Sequence, residues 1–335
     1  MAILLLGNGI NQNESLVCSW DDLLKTACKD DMKKRGKSVA SSVLPAVDGL
    51  TMTLGFDLQE FYAIDHDIAE NGTDLKRKIA SSMTDAMDAR VKEVGFDWKD
   101  TIHYQIMHLP VDTVLTTNYD YALETSVCPG FKSCIGSRET IYSRYRKHTV
   151  DTGYGPQTVY HIHGEVHAPR SICLGFEQYS GSLEKMRSDL VRTTKNAEDP
   201  ADEHTFHLQD VMLGVKKENG EDENDGAWYL RFFTDDIYIL GLRLDFSEQD
   251  IWWLLDYRIR KMRYEKSVLN ITNKICFFDT DAESRAHEGR YAARNDLLRA
   301  FGVEIIYLKG TTYDEKYKKA VKRIRKELES VAKLS

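Results

Sequence analysis

The sequence predicts an α/β protein built around a doubly wound parallel sheet. Short apolar runs alternate along the chain with longer segments whose apolar residues recur at helical spacing. The first of these runs ends in a Gly-x-Gly turn, and polar residues follow several of the later ones. Strands that alternate with helices pair in parallel, as in Rossmann-like folds, and such sheets bind ligands at the carboxyl ends of their strands.

The first predicted strand is the apolar run at residues 3–6, and the turn Gly7-Asn8-Gly9-Ile10-Asn11 follows it. A helix-prone stretch comes next, at Trp20-Asp21-Asp22-Leu23-Leu24. Glycine lets a backbone approach a phosphate, and the N–H groups at a helix N-terminus attract negative charge. The third glycine of the dinucleotide fingerprint is absent, because Gln12 stands in its place. This stretch alone therefore predicts either a phosphate-binding loop or an ordinary strand–turn–helix.

Two long segments interrupt the alternation of strands and helices. Residues 56–95 carry apolar side chains near helical spacing, in a stretch far longer than an ordinary connection between strands. Residues 180–233 are mostly polar, and the nearly all charged stretch 216–226 predicts a flexible acidic loop. We therefore expect one domain over residues 1–335, with largely helical or loop insertions at about 28–108 and 180–233.

The remaining elements follow from the same two patterns. The β-branched run 111–118 predicts the second strand, whereas residues 126–156 are expected to be irregular. Ser247, with Asp250 three residues later, predicts the N-cap of a helix. Further strands are predicted at 159–164, 172–176, 236–241, 274–279 and 303–308, and further helices at 119–125, at 251–262, in a segment that ends near Arg299, and at 317–331.

The composition restricts the classes of function. Of the 335 residues, 42% are hydrophobic and 29% charged, and no apolar run approaches the roughly 20 residues of a membrane span. The net charge is −8 without a sizeable basic block, which argues against nonspecific nucleic-acid binding. The start lacks the basic region of a signal peptide, and six cysteines are scattered, so we expect a reducing, cytoplasmic compartment. Cys128 and Cys134 are followed by no second pair, so no zinc is expected.

Polar residues collect where the predicted strands end. The ends carry Gly7-Asn8-Gly9, Thr116-Thr117-Asn118-Tyr119-Asp120, His161-Ile162-His163-Gly164 and Gly241-Leu242-Arg243. Because parallel strands end at one edge of a sheet, we expect an amide, a carboxylate and a histidine beside a phosphate-binding loop. Each residue also has an ordinary explanation. Asn118 and Asp120 suit helix N-termini, and His163 could be a buried histidine at a strand end.

Taken together and in this order, the motifs resemble those of the sirtuin family in the broad sense. Sirtuins carry Gly-Ala-Gly-Ile-Ser, Thr-Gln-Asn-Ile-Asp, His-Gly and Gly-Thr-Ser-Leu segments, which match Gly7-Asn8-Gly9-Ile10-Asn11, Thr116-Thr117-Asn118-Tyr119-Asp120, His163-Gly164 and Gly241-Leu242-Arg243-Leu244. Thr117 replaces the motif glutamine, and the four-cysteine zinc module of deacylase sirtuins is missing. These features look like the bacterial sirtuin-like branch whose members destroy NAD+ in defence against phage.

The resemblance implies an NAD+ glycohydrolase, for which NAD+ is the substrate. Asn118 would hold the ribose and the attacking water, and His163 would accept a proton from a ribose hydroxyl or from water. Asp120 would orient groups or offset developing charge. The implied NAD+-binding residues are Gly7, Asn8, Gly9, Ile10 and Asn11 in the first loop, Thr116 and Thr117 after the second strand, Gly241 and Leu242 on the adenosine side, and Asp279 near a ribose.

The resemblance also implies that the activity is controlled. An enzyme that destroys NAD+ would poison its own cell if it were always active. We therefore expect a homo-oligomer or a separately encoded regulatory partner, for example a HerA-type ATPase. Two alternatives remain open, namely an NAD-dependent protein deacylase and a module that binds NAD+ or ADP-ribose without turnover.

Overall fold

Seven strands form the central sheet of the protein. The computed structural model describes residues 1–16, 49–65, 67, 69–133, 142–190, 193–195, 203–205, 208, 227–265, 269–282 and 288–332. Its strands are β1 (Ala2–Leu6), β2 (Thr113–Thr116), β3 (Lys147–Asp151), β4 (Pro156–His161), β5 (Thr193–Lys195), β6 (Glu203–Thr205), β7 (Asp236–Leu240), β8 (Ile275–Asp279) and β9 (Val303–Tyr307). The sheet has the order β3-β4-β2-β1-β7-β8-β9, while β5 and β6 form a separate hairpin. All pairs in the sheet are parallel except β3 with β4.

Helices connect the strands. They are α1 (Gly9–Asn13), α2 (Gly49–Asp65), α3 (Gly72–Val91), α4 (Ile102–Met107), α5 (Ala122–Val127), α6 (Phe176–Leu190), α7 (Arg231–Thr234), α8 (Gln249–Tyr264), α9 (Gly289–Ala300) and α10 (Tyr313–Ala332). Short 3-10 helices occur at Trp98–Asp100, Pro169–Ser171 and Trp228–Leu230. None of the helices in the described part of the chain is long and apolar enough to cross a membrane.

The predicted doubly wound α/β fold is confirmed, and β1 lies at its centre. This strand pairs in parallel with β2 on one side and with β7 on the other. Its side chains alternate between two cores, because successive residues of a strand point to opposite faces. Leu5 packs in the core that contains Trp228, whereas Leu4 packs in the core that contains Ile324 of α10. The strand order reverses at β1, so a crevice opens between the carboxyl ends of β1 and β7.

Within the long segment between β1 and β2, most of residues 56–95 are helical, as their apolar spacing predicts, and they belong to α2 and α3. α3 begins at an extended Asn71, whose side chain accepts a hydrogen bond from the Asp74 amide at 3.0 Å. Its residues Leu75, Ile79 and Met83 are buried in a third core, next to the residues that follow β2. The predicted helix start at residues 20–24 lies outside the described residues, and α1 instead begins directly at the first loop.

Three local predictions are wrong. Residues 147–151 form β3 rather than irregular chain, and its His148 and Val150 alternate with exposed neighbours. Residues 172–176 do not form a strand, because only the Cys173 amide pairs with the end of the β4 segment, at His163 O, before α6 begins. Ser247 is not an N-cap, since α8 begins after Glu248 and has no side-chain cap. The predicted acidic loop at 216–226 lies outside the described residues.

Candidate functional site

A cavity of about 750 Å³ lies at the carboxyl edge of the sheet. Its volume falls in the range of sites that hold a small molecule or cofactor. Six of the predicted site residues line it: Asn8, Gly9, Thr117, His163, Gly241 and Leu242. The wall also contains residues that the sequence did not single out for this role, among them Phe56, Tyr179, Asp245, Glu248, Asp281 and Tyr317.

Close packing between two loops explains the glycines at the cavity. The Gly9 amide donates a hydrogen bond to the Gly241 carbonyl oxygen at 2.8 Å. A Cβ on Gly7 would lie 2.7 Å from that same oxygen, and a Cβ on Gly9 would lie 2.5 Å from the Tyr317 hydroxyl. Gly241 itself has φ +70°, which favours glycine. The loops after β1 and β7 can therefore meet only because these positions have no side chain. Whether the first loop also binds a phosphate stays a prediction.

Asn118 lies behind the first loop, between cavity-lining Thr117 and Tyr119. Its amide nitrogen Nδ2 donates to the Gly7 carbonyl oxygen at 3.4 Å, and its backbone amide donates to Thr116 Oγ1 at 3.1 Å. Its side-chain oxygen Oδ1 is buried and has no hydrogen-bond partner among the described residues. An acceptor left in this state costs about 1–3 kcal/mol. Asn118 therefore keeps one strong acceptor available for a ligand hydroxyl or a water.

Asn11 and Asp120 form a buried chain of hydrogen bonds with His103 rather than part of the cavity wall. Asn11 donates from Nδ2 to Asp120 at 2.6 Å and accepts at Oδ1 from His103 Nε2 at 2.7 Å. Burial lowers the pKa of His103 to about 3, so this ring is neutral at pH 7. Burial also raises the pKa of Asp120, whose carboxylate accepts from the Ala122 amide at the start of α5. These side chains tie the first loop to the end of β2. Ile10 is also fully buried, in the core beneath the loop.

His163 is paired with two acidic residues at the start of α8. Its Nε2 lies 2.8 Å from Asp250 Oδ2, and its Nδ1 lies 3.7 Å from Glu248 Oε2. Burial opposes the charged ring, but Asp250 and Glu248 outweigh this effect, so the pKa of His163 is raised. The sequence indicated Asp250 only as a residue of a helix start and did not indicate Glu248. The sequence feature that could have identified them is their position shortly after Gly241, which follows the end of β7.

Asp279 is not brought to the cavity. Its Oδ2 accepts hydrogen bonds from the Arg294 guanidinium and from the Tyr291 hydroxyl, both at 2.7 Å. Thr280 and Asp281 border the cavity at this strand end, and Tyr313 donates to Asp281 at 2.9 Å. Asp279 therefore fixes α9 to the end of β8, and a contact with a ribose has no support in this arrangement.

Two groups of three side chains, within the part of the chain that is described, bring possible metal ligands within 4.8 Å of one another. They are His163 with Glu248 and Asp250, and His148 with His161 and Glu165. In the second group, His148 pairs with Glu165 at 2.7 Å and His161 pairs with Glu124 at 2.8 Å. Each imidazole in both groups thus already has a carboxylate partner, and hydrogen bonding accounts for them without a metal.

The described cysteines do not approach one another as a zinc module requires. Cys128 is exposed, while Cys173 and Cys276 are buried as free thiols. Burial raises the pKa of both buried thiols, so they are protonated at pH 7. Cys18, Cys28 and Cys134 lie outside the described residues, and the expectation that the protein binds no zinc stays a prediction.

Residues 112–199 match the family model of the SIR2-like domain. The matched segment contains β2, Asn118, β4 and His163, which are the parts of the site that carry the chemistry inferred from the motifs. No curated protein matches the sequence. Over this segment the match confirms the resemblance to the sirtuin-like family, and it suggests an NAD-related activity.

Proposed function

We propose that this sirtuin-like protein is an NAD+ glycohydrolase, which cleaves the bond between nicotinamide and ribose to give nicotinamide and ADP-ribose. One observation carries the proposal. His163, with Glu248 beside it, borders the same cavity as the Asn8-Gly9 loop, and the unpaired Oδ1 of Asn118 lies directly behind that loop. This cleavage needs a loop for the phosphates, an amide for the ribose and a titratable group, and we assign these parts to the Asn8-Gly9 loop, Asn118 and the pair of His163 and Glu248.

The bond to nicotinamide breaks through an oxocarbenium-like state, in which the ribose carries developing positive charge. Carboxylates close to that charge stabilise it, because they are fixed in place and shielded from water. The buried carboxylate of Asp250 supplies such charge beside His163. Asn118 would accept a hydrogen bond from a ribose hydroxyl or from the attacking water through its free oxygen. Departing nicotinamide would leave towards the apolar wall formed by Phe56, Leu174 and Tyr179.

The experiment that tests the proposal is incubation of the purified protein with NAD+, followed by chromatography of free nicotinamide and ADP-ribose. An acetylated peptide is added in a parallel reaction. Free ADP-ribose in both reactions supports the hydrolase. Transfer of the acetyl group to ADP-ribose would identify a deacylase, and NAD+ binding without nicotinamide release would identify a binding module.

We further propose that the protein is a cytoplasmic NAD+-depleting effector of a bacterial antiphage defence system. Its control would come from assembly into a homo-oligomer or from a separately encoded partner such as a HerA-type ATPase. The resemblance of the Asn118 and His163 motifs to that branch of the family supports this proposal. Light scattering of the protein alone and with candidate partners, together with the nicotinamide assay, tests whether assembly and activity rise together.

A further inference from the structure

We propose that Glu248 is the catalytic base that removes a proton from the attacking water, with His163 as its proton-sharing neighbour. The proposal rests on the NAD+ glycohydrolase function and names a further residue of that site. It changes the role that the motifs imply for His163, from the base itself to one member of a pair.

Glu248 has the position and the freedom that a base needs. It lines the cavity, and its Oε2 is buried without a hydrogen-bond partner in the described structure. That oxygen lies 3.7 Å from His163 Nδ1, which is too long for a hydrogen bond but close enough for the two groups to affect each other's charge. A base must be able to form a hydrogen bond to a water, and the Glu248 side chain is 18% exposed where it borders the cavity, so a water can reach it.

His163 is poorly suited to act as the base alone. Asp250 accepts the proton of Nε2 at 2.8 Å, so only Nδ1 remains for acid–base chemistry. The two carboxylates favour the imidazolium, in which Nδ1 also carries a proton and has no lone pair to accept another. A protonated His163 therefore leaves Glu248 as the acceptor on this side of the cavity.

The pKa of Glu248 lies close to neutral pH, as that of a general base should. Burial raises its pKa to about 7, His163 opposes this shift, and Asp250 and Asp245 add to it. The other ionisable groups close to it, Tyr119, Tyr179 and Cys173, have pKa values raised well above their usual range by burial, and they are neutral at pH 7. His163 and Glu248 are close enough for the charge of each to affect the pKa of the other.

The proposed hydrolysis breaks one bond, forms one bond and transfers one proton. The bond between ribose C1′ and the nicotinamide nitrogen breaks, and its electron pair leaves with neutral nicotinamide. The water oxygen forms a new bond to C1′, and one water proton passes to the Glu248 carboxylate. That proton returns to solvent when ADP-ribose departs.

Base exchange separates this role from a structural one. In the presence of 3-acetylpyridine, the pyridine nitrogen can attack C1′ in place of water, and that attack releases no proton. Hydrolysis and exchange share the cleavage of the nicotinamide bond and differ in the need for a base. Loss of Glu248 should therefore slow hydrolysis much more than exchange.

The test uses Glu248→Gln and Glu248→Asp, with Glu265→Gln as the control. Glu265 lies at the opposite end of α8, in an ion pair with Lys261. Products are measured with NAD+ alone and with NAD+ plus 3-acetylpyridine. For Glu248→Gln we expect hydrolysis to fall by about 100-fold or more, since positioned acid–base catalysis contributes about 10²–10⁴-fold. Exchange should change by only a few-fold, and Glu248→Asp should retain intermediate hydrolysis. Glu265→Gln should match the wild type.

Two results would overturn the inference while wild-type protein still releases nicotinamide. One is unchanged hydrolysis in Glu248→Gln. The other is an equal loss of hydrolysis and exchange in a variant that unfolds on heating at a temperature no lower than the wild type. If the wild type itself releases no nicotinamide, alone or with candidate partners, the proposed function fails, which is a separate result.

Discussion

Gly241→Ala should destabilise the protein by about 2–5 kcal/mol, because the new methyl group creates two separate strains. Gly241 has φ +70°, and a left-handed backbone costs alanine about 1–2 kcal/mol. Its Cβ would lie 2.8 Å from Ile10 Cγ2 and 3.0 Å from the Gly7 carbonyl oxygen. Crowding of this kind in a packed region typically costs about 1–3 kcal/mol.

Gly153→Ala is the matched control for the backbone term. Gly153 has φ +79°, and no described atom lies within 4 Å of its would-be Cβ. Its substitution should therefore cost only about 1–2 kcal/mol. Urea unfolding of both variants measures the difference, which we expect to be about 1–3 kcal/mol. Nicotinamide release should fall only in Gly241→Ala. Equal destabilisation of the two variants would refute the close contact between the loops after β1 and β7.

Three further predictions concern side chains of the site and Asp279, which lies outside it. Asn118→Ala and His163→Gln should each reduce nicotinamide release by about 100-fold or more, with unfolding midpoints close to wild type because the glutamine amide can still donate to Asp250. His163→Ala should also lose roughly 3–5 kcal/mol in urea unfolding, because it leaves the buried Asp250 without a donor. Because the pKa of Glu248 rises from 4.5 to about 7 on folding, its ionisation opposes folding as the pH rises through that window. Glu248→Gln should therefore be more stable than wild type by roughly 3 kcal/mol at pH 8 and equal to it near pH 4, measured by urea unfolding. Asp279→Ala should destabilise the protein by about 3–5 kcal/mol, since it leaves the Arg294 guanidinium buried without its partner, and the KM for NAD+ of the folded fraction should stay unchanged.

The sheet was largely predictable from the sequence because most of its strands are buried on both faces. β1 is apolar throughout, and β7 and β8 each contain four consecutive apolar residues, as expected of a sheet covered by helices on both sides. β3 was missed because it lies at the edge and contains Lys, His, Thr and Asp around a single valine. Its buried His148 depends on Glu165, a contact that local patterns do not show.

The site was predicted in part, because contacts between residues far apart in the sequence cannot be read from local patterns. Strand-end positions identified His163, Asn118 and the glycine loops, because parallel strands end at one edge. Asp250 contacts His163 across 87 residues of chain, and in the sequence it has the ordinary appearance of an acidic residue at a helix start. Asp279 was predicted as a site residue because it stands at a strand end, but its carboxylate instead accepts a hydrogen bond from Arg294 of α9.

The charges around the cavity determine how NAD+ would lie in it on the proposed function. Asp250 makes the His163 end favourable for a ribose that develops positive charge, and both Asp250 and Glu248 make it unfavourable for a pyrophosphate. The described lining of the cavity contains one arginine, Arg243, and no lysine. The pyrophosphate would therefore lie between Arg243 and the Asn8-Gly9 loop, which places the nicotinamide ribose at His163 and the adenosine towards Tyr313. In this orientation one half of the wall would bind the anion, and the other half would stabilise the cation formed in the proposed reaction.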